Sequence, residues 1–208
     1  MDFEVMRPEE IERRSFAIIE EELRERGIHL PEVNRHVVMR VIHATADFDF
    51  ADNLEFSKNV VSTIQGLIRE GASVCTDTQM AKAGINRRIL SRFGSKVHCF
   101  MSDEEVAAEA KARGVTRATV SMERAAKLPE PVILVVGNAP TALIEIRRLM
   151  GEGWRPACVV GVPVGFVNVE AAKALIPDSG VPYIISRGRK GGSTVAAAIV
   201  NAVLYDMR

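Results

Sequence analysis

Arg40 and His43 stand three residues apart in the run Arg40-Val41-Ile42-His43-Ala44-Thr45. On a helix, that spacing puts both side chains on the same side. Histidine is the side chain that gives or takes a proton near neutrality without help from its surroundings. A guanidinium stays charged and can clamp a carboxylate through two parallel hydrogen bonds. The pair suggests acid–base chemistry on an anionic substrate. The run reads as the end of an apolar helix entering the core, where two such groups are costly unless paired or used. A structural His43 would only hydrogen-bond a carbonyl. A catalytic one would protonate a substrate, worth roughly 10²–10⁴ in rate. His29, His36 and His98 read as accommodated histidines.

Three glycine-bearing turns are the next candidates. Gly137-Asn138-Ala139-Pro140-Thr141, Gly161-Val162-Pro163-Val164-Gly165-Phe166 and Arg187-Gly188-Arg189-Lys190-Gly191-Gly192-Ser193 each follow an apolar strand-like run. Ligands of open parallel sheets bind at the carboxyl ends of strands. The last turn leads straight into a helix, so free N–H groups, a positive dipole end and three cations coincide as an anion site. It matches neither the Walker A pattern nor the dinucleotide G-x-G-x-x-G pattern. Asp77, at another strand end, reads equally as an acid–base group or as a cap. Ser15 falls on an expected inward stripe, as a packing residue or as a hydroxyl facing a pocket.

Elements must position these groups. Pro8-Glu9-Glu10 opens a helix that stops at Gly27, with Ile11, Ile18, Ile19 and Leu23 expected inward. Pro31 starts a second helix with Val33, Val37, Val41 and Ala44 inward, widened by Val38 and Ile42. After an acidic, aromatic loop at 47–53, a third helix is expected from about Asn53 to Glu70. The rhythm then becomes βα. Strands are expected over Ala72–Thr76, Lys96–Phe100, Pro131–Val136, Ala157–Gly161 and Pro182–Ser186. Helices are expected from a capping box at Ser102 to Arg113, and over Thr116–Ala126, Pro140–Met150 and Ser193–Tyr205. Near-continuous apolar strands alternating with helices indicate a mostly parallel sheet covered on both faces. The expectation is one domain over residues 1–208: a doubly wound α/β fold with a helical N-terminal segment.

Composition removes several function classes. Lys plus Arg and Asp plus Glu are 27 each, so no global basic field argues for nucleic acid. No apolar run reaches the about 18 residues of a membrane span, and Met1-Asp2-Phe3-Glu4 shows no signal-peptide pattern. Cys75, Cys99 and Cys158 make no metal pattern with the histidines and read as buried thiols in a reducing cytoplasm.

Arg14-Ser15-Phe16, Arg40-Val41-Ile42-His43, Gly137-Asn138-Ala139-Pro140-Thr141-Ala142-Leu143, Gly161-Val162-Pro163-Val164-Gly165-Phe166-Val167 and Arg187-Gly188-Arg189-Lys190-Gly191-Gly192-Ser193 together resemble the precorrin-8X methylmutase family. The blocks occur in the family's order and span nearly the whole chain. The resemblance implies an isomerase of cobalamin biosynthesis. It would move a methyl group from C11 to C12 of precorrin-8, or of cobalt-precorrin-8, giving hydrogenobyrinate or cobyrinate. The shift is an intramolecular [1,5]-sigmatropic migration that needs no methyl donor and no cofactor. Any cobalt would arrive inside the substrate, and the stretch 44–52 of this chain looks more like the cobalt-containing branch of the family.

The resemblance also implies roles. His43 would be the general acid, with Ser15 and Arg40 contacting substrate. The expected substrate-binding set also includes Arg117, from a Thr116-Arg117 pair that resembles one in the family, and, from the strand-end reading above, Asp77, Asn138, Gly165, Arg187, Arg189 and Gly191. A homodimer with active sites near the subunit interface is expected, with neighbouring pathway enzymes as further partners. Two rivals remain at this point: a non-catalytic corrinoid carrier, and a nucleotide- or S-adenosylmethionine-dependent α/β enzyme using the same glycine-rich edge.

Overall fold

β-Branched apolar runs separated by glycine and proline build the centre of the molecule. In the computed structural model, which describes residues 7–207, the chain runs through eleven α-helices and six strands. The Met1–Glu4 stretch lies outside the described residues. The first elements are α1 (Pro8–Glu25), α2 (Glu32–Thr45), α3 (Phe50–Asn53), β1 (Leu54–Phe56) and α4 (Val60–Arg69). Then follow β2 (Ser73–Thr76), α5 (Gln79–Gly84), α6 (Arg87–Leu90), β3 (Val97–His98), α7 (Glu104–Arg113) and α8 (Arg117–Ala125). The last third holds β4 (Val132–Val136), α9 (Pro140–Gly151), β5 (Cys158–Gly161), α10 (Val169–Ala174), β6 (Tyr183–Ser186) and α11 (Ser193–Tyr205).

The sheet order is β1-β6-β5-β4-β2-β3. Every pair is parallel except β1 with β6, whose register sets Leu54 opposite Ser186. Alternation along the strands sends side chains into two cores. Val74, Ile133, Val135, Val160 and Ile184 join α1, α2, α4, α5 and α11 on one face. Cys75, Leu134, Val136, Val159 and Ile185 join α8, α9 and α10 on the other. The sheet is doubly wound and helix-covered on both faces, as the pattern of runs predicts. After β2 the chain adds β3 on one side, then crosses to place β4 on the other. The gap between the carboxyl ends of β2 and β4 is therefore the topological switch point.

Several local expectations are corrected. The third helix does not start at Asn53. Leu54–Phe56 forms the short antiparallel edge strand, and α4 begins only at Val60, after Asn59 turns through a left-handed φ of 58°. Three residues are too few for alternation to reveal a strand. Ile11 and Ile18 are about half exposed. Helix α1 packs chiefly on α2, so its buried stripe is narrow and runs through Phe16, Ile19 and Leu23. Val33 is exposed because the first turn of α2 projects past the elements that cover Val37, Val38, Val41 and Ile42. Ala44 is exposed too. Helix α7 takes Asp103 as its N-cap, and the Ser102 hydroxyl instead accepts from the Gln79 amide at 3.1 Å. Helices α5, α6 and α10 lie in stretches with no sequence-predicted element. Each is six residues or fewer, too short for helical periodicity to show.

Candidate active site

Helix α2 delivers Arg40 and His43 to one place because three residues make most of a turn, but not to the interior. His43 is exposed and Arg40 half-buried. Both open on a cleft of about 340 Å³ between α2, α5 and α11. Its far wall is the small-residue face of α11, with Ser193, Thr194, Ala197 and Ala198. The expectation that the pair enters the core is therefore corrected. Val41 and Ile42, between them, are the residues that do.

The pair is held by rings. The Phe16 ring stacks on His43 with centroids 5.2 Å apart. The Arg40 guanidinium lies 4.7 Å from the Phe16 centroid and 5.0 Å from that of Tyr205. A cation against aromatic faces keeps its charge at little desolvation cost. Arg40 also pairs with Glu12 of α1. A second cleft of about 350 Å³ adjoins the first, and Arg40 and Tyr205 line both.

The switch point is filled from within. Asp77 is fully buried, and its carboxylate accepts N–H groups from Gly137 at 2.7 Å, Asn138 at 2.8 Å and Ala139 at 2.6 Å. Burial pushes its carboxyl up from the ordinary range, and the three donors oppose that. These amides lead into α9, the place where a doubly wound fold would offer N–H groups to a phosphate. The protein's own carboxylate takes them. The Asn138 side chain is exposed beside it. Gly137 has no room for a side chain, because a Cβ would stand 2.8 Å from the Ser193 Cα. The β4 turn is thereby packed against the start of α11. There the Thr78 hydroxyl, which caps α5, meets the Ser193 hydroxyl at 2.8 Å.

The cationic loop docks on two neighbours. The Arg187 guanidinium donates to the Asp52 carbonyl at 2.6 Å. Arg189 donates to the Glu170 carboxylate at 3.1 Å and lies over the Phe166 ring. Lys190 reaches Asp47 at 2.7 Å and Asp49 at 2.6 Å, which holds the Asp47 carboxyl below its usual range. Asp47 is four residues past His43, so the cationic loop is tied to the segment that ends the His43 helix. The Gly165 N–H donates to the Arg189 carbonyl at 3.2 Å, joining the β5 and β6 turns. Gly191 has φ 157°, and a Cβ there would meet the Val162 carbonyl oxygen at 2.1 Å. Only glycine fits.

Not every sequence-predicted residue converges. Ser15 is half-buried one position before Phe16, and its hydroxyl donates to the Ile11 carbonyl at 2.9 Å. Arg117 is exposed in the first turn of α8, after a Thr116 that caps it. Tyr205 and Lys173 escaped the sequence reading as site residues, and Phe16, though part of the Arg14-Ser15-Phe16 block, was given no role. Phe16 and Tyr205 look like ordinary helix-packing aromatics. Lys173, buried on α10, showed only as a lone lysine among alanines. Among the described residues no group of three or more His, Cys, Asp or Glu could hold a metal, and no helix is long and apolar enough to cross a membrane. Cys75, Cys99 and Cys158 are free and buried.

The comparisons with known proteins agree with one another. A family model described as precorrin-8X methylmutase matches residues 10–206. A cobalt-precorrin-8 methylmutase of Salmonella typhimurium is 40% identical over 208 residues, covering 98% of each chain. A precorrin-8X methylmutase of Pseudomonas aeruginosa is 38% identical over 199 residues, covering 94% of each. The crystal structure of a precorrin-8X methylmutase from Thermus thermophilus superposes with a TM-score of 0.84 at 37% identity, covering 94% of this chain and 96% of that one.

Proposed function

This chain belongs to the precorrin-8X methylmutase family, isomerases of cobalamin biosynthesis, and on that premise we propose that His43 is the general acid of a methyl shift from C11 to C12 of precorrin-8 or cobalt-precorrin-8. The observation that carries the reading is the exposed His43 imidazole, stacked on Phe16 and opening with Arg40 on the α2–α11 cleft. Substrate and product are isomers, so a proton lent to the ring returns to the protein. In between, a protonated macrocycle is electron-poor, which favours migration of the methyl group as the C11 bond breaks and the C12 bond forms. The chain's own groups supply all of this, with no cofactor, and cobalt enters only inside the substrate.

The substrate is a flat apolar ring fringed with carboxylates. The walls around His43 mix small and apolar residues (Ala44, Met80, Gly84, Ala197, Ala198) with the hydroxyls of Ser193 and Thr194, and Arg40 stands beside it for one carboxylate. Along the adjoining sheet edge Arg187 and Arg189 offer cations, Gly191 a main-chain N–H and Asn138 its exposed side chain, while Gly165 shapes the turn and Ser15 and Arg117 are outlying contacts. Asp77 acts from beneath, by fixing the β4 turn. The cleft beside His43 is open and near the lower end of ligand-pocket volumes, roughly 300–1,000 Å³. A four-pyrrole ring overfills it and extends across Arg40 toward the second cleft. The open cleft leaves room for a second copy to close the site, and the homodimer, like the cytoplasmic location and the exchange with pathway neighbours, is part of the proposal.

The nucleotide reading is disfavoured by Asp77, which occupies the anion position at the switch point. The carrier reading gives an imidazole at position 43 no task. The test is His43→Ala in single-turnover assays on precorrin-8 with and without cobalt. The variant is expected to fold, to bind hydrogenobyrinate as before, and to lose roughly 10²–10⁴ in rate. A near-normal rate would remove His43 from the chemistry, and parallel assays on the two substrates identify the branch.

A further inference from the structure

Lys173 is a buried cation on the short helix α10, with only 2% of its surface exposed. Its ammonium donates to two main-chain carbonyls of the cationic loop, Gly188 O at 2.8 Å and Lys190 O at 2.8 Å. The Ser186 hydroxyl donates to the same Lys190 carbonyl at 2.8 Å. The carboxylate that acts on Lys173, Glu170, is itself engaged by Arg189. A buried ammonium satisfied mainly by carbonyls is costly, and burial lowers its pKa to about 8. Packing alone would be served as well by a methionine, so the charge calls for another explanation.

The loop supplies one. In a trans peptide the C=O and N–H point in opposite directions. Carbonyls 188 and 190 are drawn inward to the ammonium. The N–H groups that share those peptide units, on Arg189 and Gly191, must then point away from Lys173. Neither amide has a hydrogen-bond partner among the described residues, so each is left free for an anion on the outer side of the loop. Gly191 packs closely on the Val162 and Pro163 carbonyls, which further limits how the loop can move.

We infer that Lys173 is a positioning residue: by holding the Gly188 and Lys190 carbonyls it turns the Arg189 and Gly191 amides outward to receive a carboxylate of the macrocycle. The inference rests on the reading of the 187–191 loop as a carboxylate site. Lys173 touches no substrate, and its effect passes through the loop.

The test compares Lys173→Met, Lys173→Arg and the double variant Arg187→Ala/Arg189→Ala, each titrated with hydrogenobyrinate and assayed for KM and kcat. Lys173→Met is expected to weaken binding and raise KM by roughly tenfold, the scale of one charged hydrogen bond, with kcat within about twofold. Lys173→Arg, which keeps two donors, should recover much of the affinity. A structural role alone would move melting temperature without this split and without rescue. If the double variant loses affinity and Lys173→Met does not, the Lys173 inference is overturned and the loop site stands. If neither loses affinity, the loop site itself is wrong and the inference falls with it. Should Lys173→Met fail to fold, Lys173→Gln, neutral but still a donor, replaces it. Full affinity in that variant would overturn the inference, and an intermediate loss would support it.

Discussion

The imidazole of His43 lies against the ring of Phe16, centroids 5.2 Å apart and planes 21° from parallel. The two residues belong to different helices, so α1 orients the proposed acid of α2. Replacing Phe16 by leucine keeps an apolar filler and removes the flat face. The single-turnover rate should fall roughly tenfold through misorientation of the acid. Affinity for hydrogenobyrinate should fall less, because Arg40 keeps Tyr205 on its other side. An unchanged rate would mean that the stacking does not orient His43.

Arg40 is shared between the Glu12 carboxylate and whatever anion enters the cleft. Glu12→Gln removes the competing charge and should tighten hydrogenobyrinate binding several-fold at low salt, less at about 0.15 M, where exposed charges are screened. Arg40→Lys keeps the charge but loses the planar fork and the ring contacts. It should weaken binding roughly tenfold. Equal affinity in both variants and the wild type, followed by absorbance titration, would place the carboxylate elsewhere.

Lys190 joins the cationic loop to the Asp47–Asp49 segment through half-exposed ion pairs. Solvent screens such pairs, and they add little to stability, so Lys190→Ala should shift Tm only slightly. Catalysis is the more sensitive readout, because the tie runs to the segment that follows His43. Calorimetry and kcat/KM measured side by side should show a small stability change with a several-fold activity loss. A large Tm loss with unchanged kcat/KM would make Lys190 a stability residue.

Stability should carry the signature of Lys173. Its ammonium titrates near pH 8 in the fold and near 10.5 when unfolded. Between those values the unfolded chain binds more protons, so this group makes stability rise with pH. The buried Cys158 thiol, held up to about 12 from 9.0, acts in the opposite sense above pH 9. The two are separated by subtraction. The Tm of Lys173→Met minus that of the wild type should fall steadily between pH 7.5 and 10.5. A constant difference would mean that the lysine's charge is not penalised by its surroundings.

The parallel sheet was legible because β4, Val132–Val136, and its neighbours are buried on both faces and read as unbroken apolar runs. The edge strand Leu54–Phe56 was not legible. Its three residues carry no period, and its pairing partner, β6, lies about 130 positions away. His43, Arg40 and the three glycine turns were visible as residue types at telling spacings. Their surroundings were not. Exposure of His43, the stacking of Phe16 and the two clefts depend on how α1 and α11 cover α2. Asp77 shows the limit most clearly: acid and cap read alike in one dimension. Only the arrival of the Gly137, Asn138 and Ala139 amides, 60 to 62 positions later, distinguishes what its oxygens do.

Those same amides give the scaffold a selectivity that no side chain in the cleft supplies. In effect Asp77 is a ligand that the chain carries with it, seated in the berth where other proteins of this architecture hold nucleotide phosphates. Abundant phosphate-bearing metabolites meet an occupied seat of their own charge sign. A flat polycarboxylate received between α2 and α11, as proposed, would have nothing to displace. Asp77→Gly would vacate that seat, and the three amides would then be open to small anions.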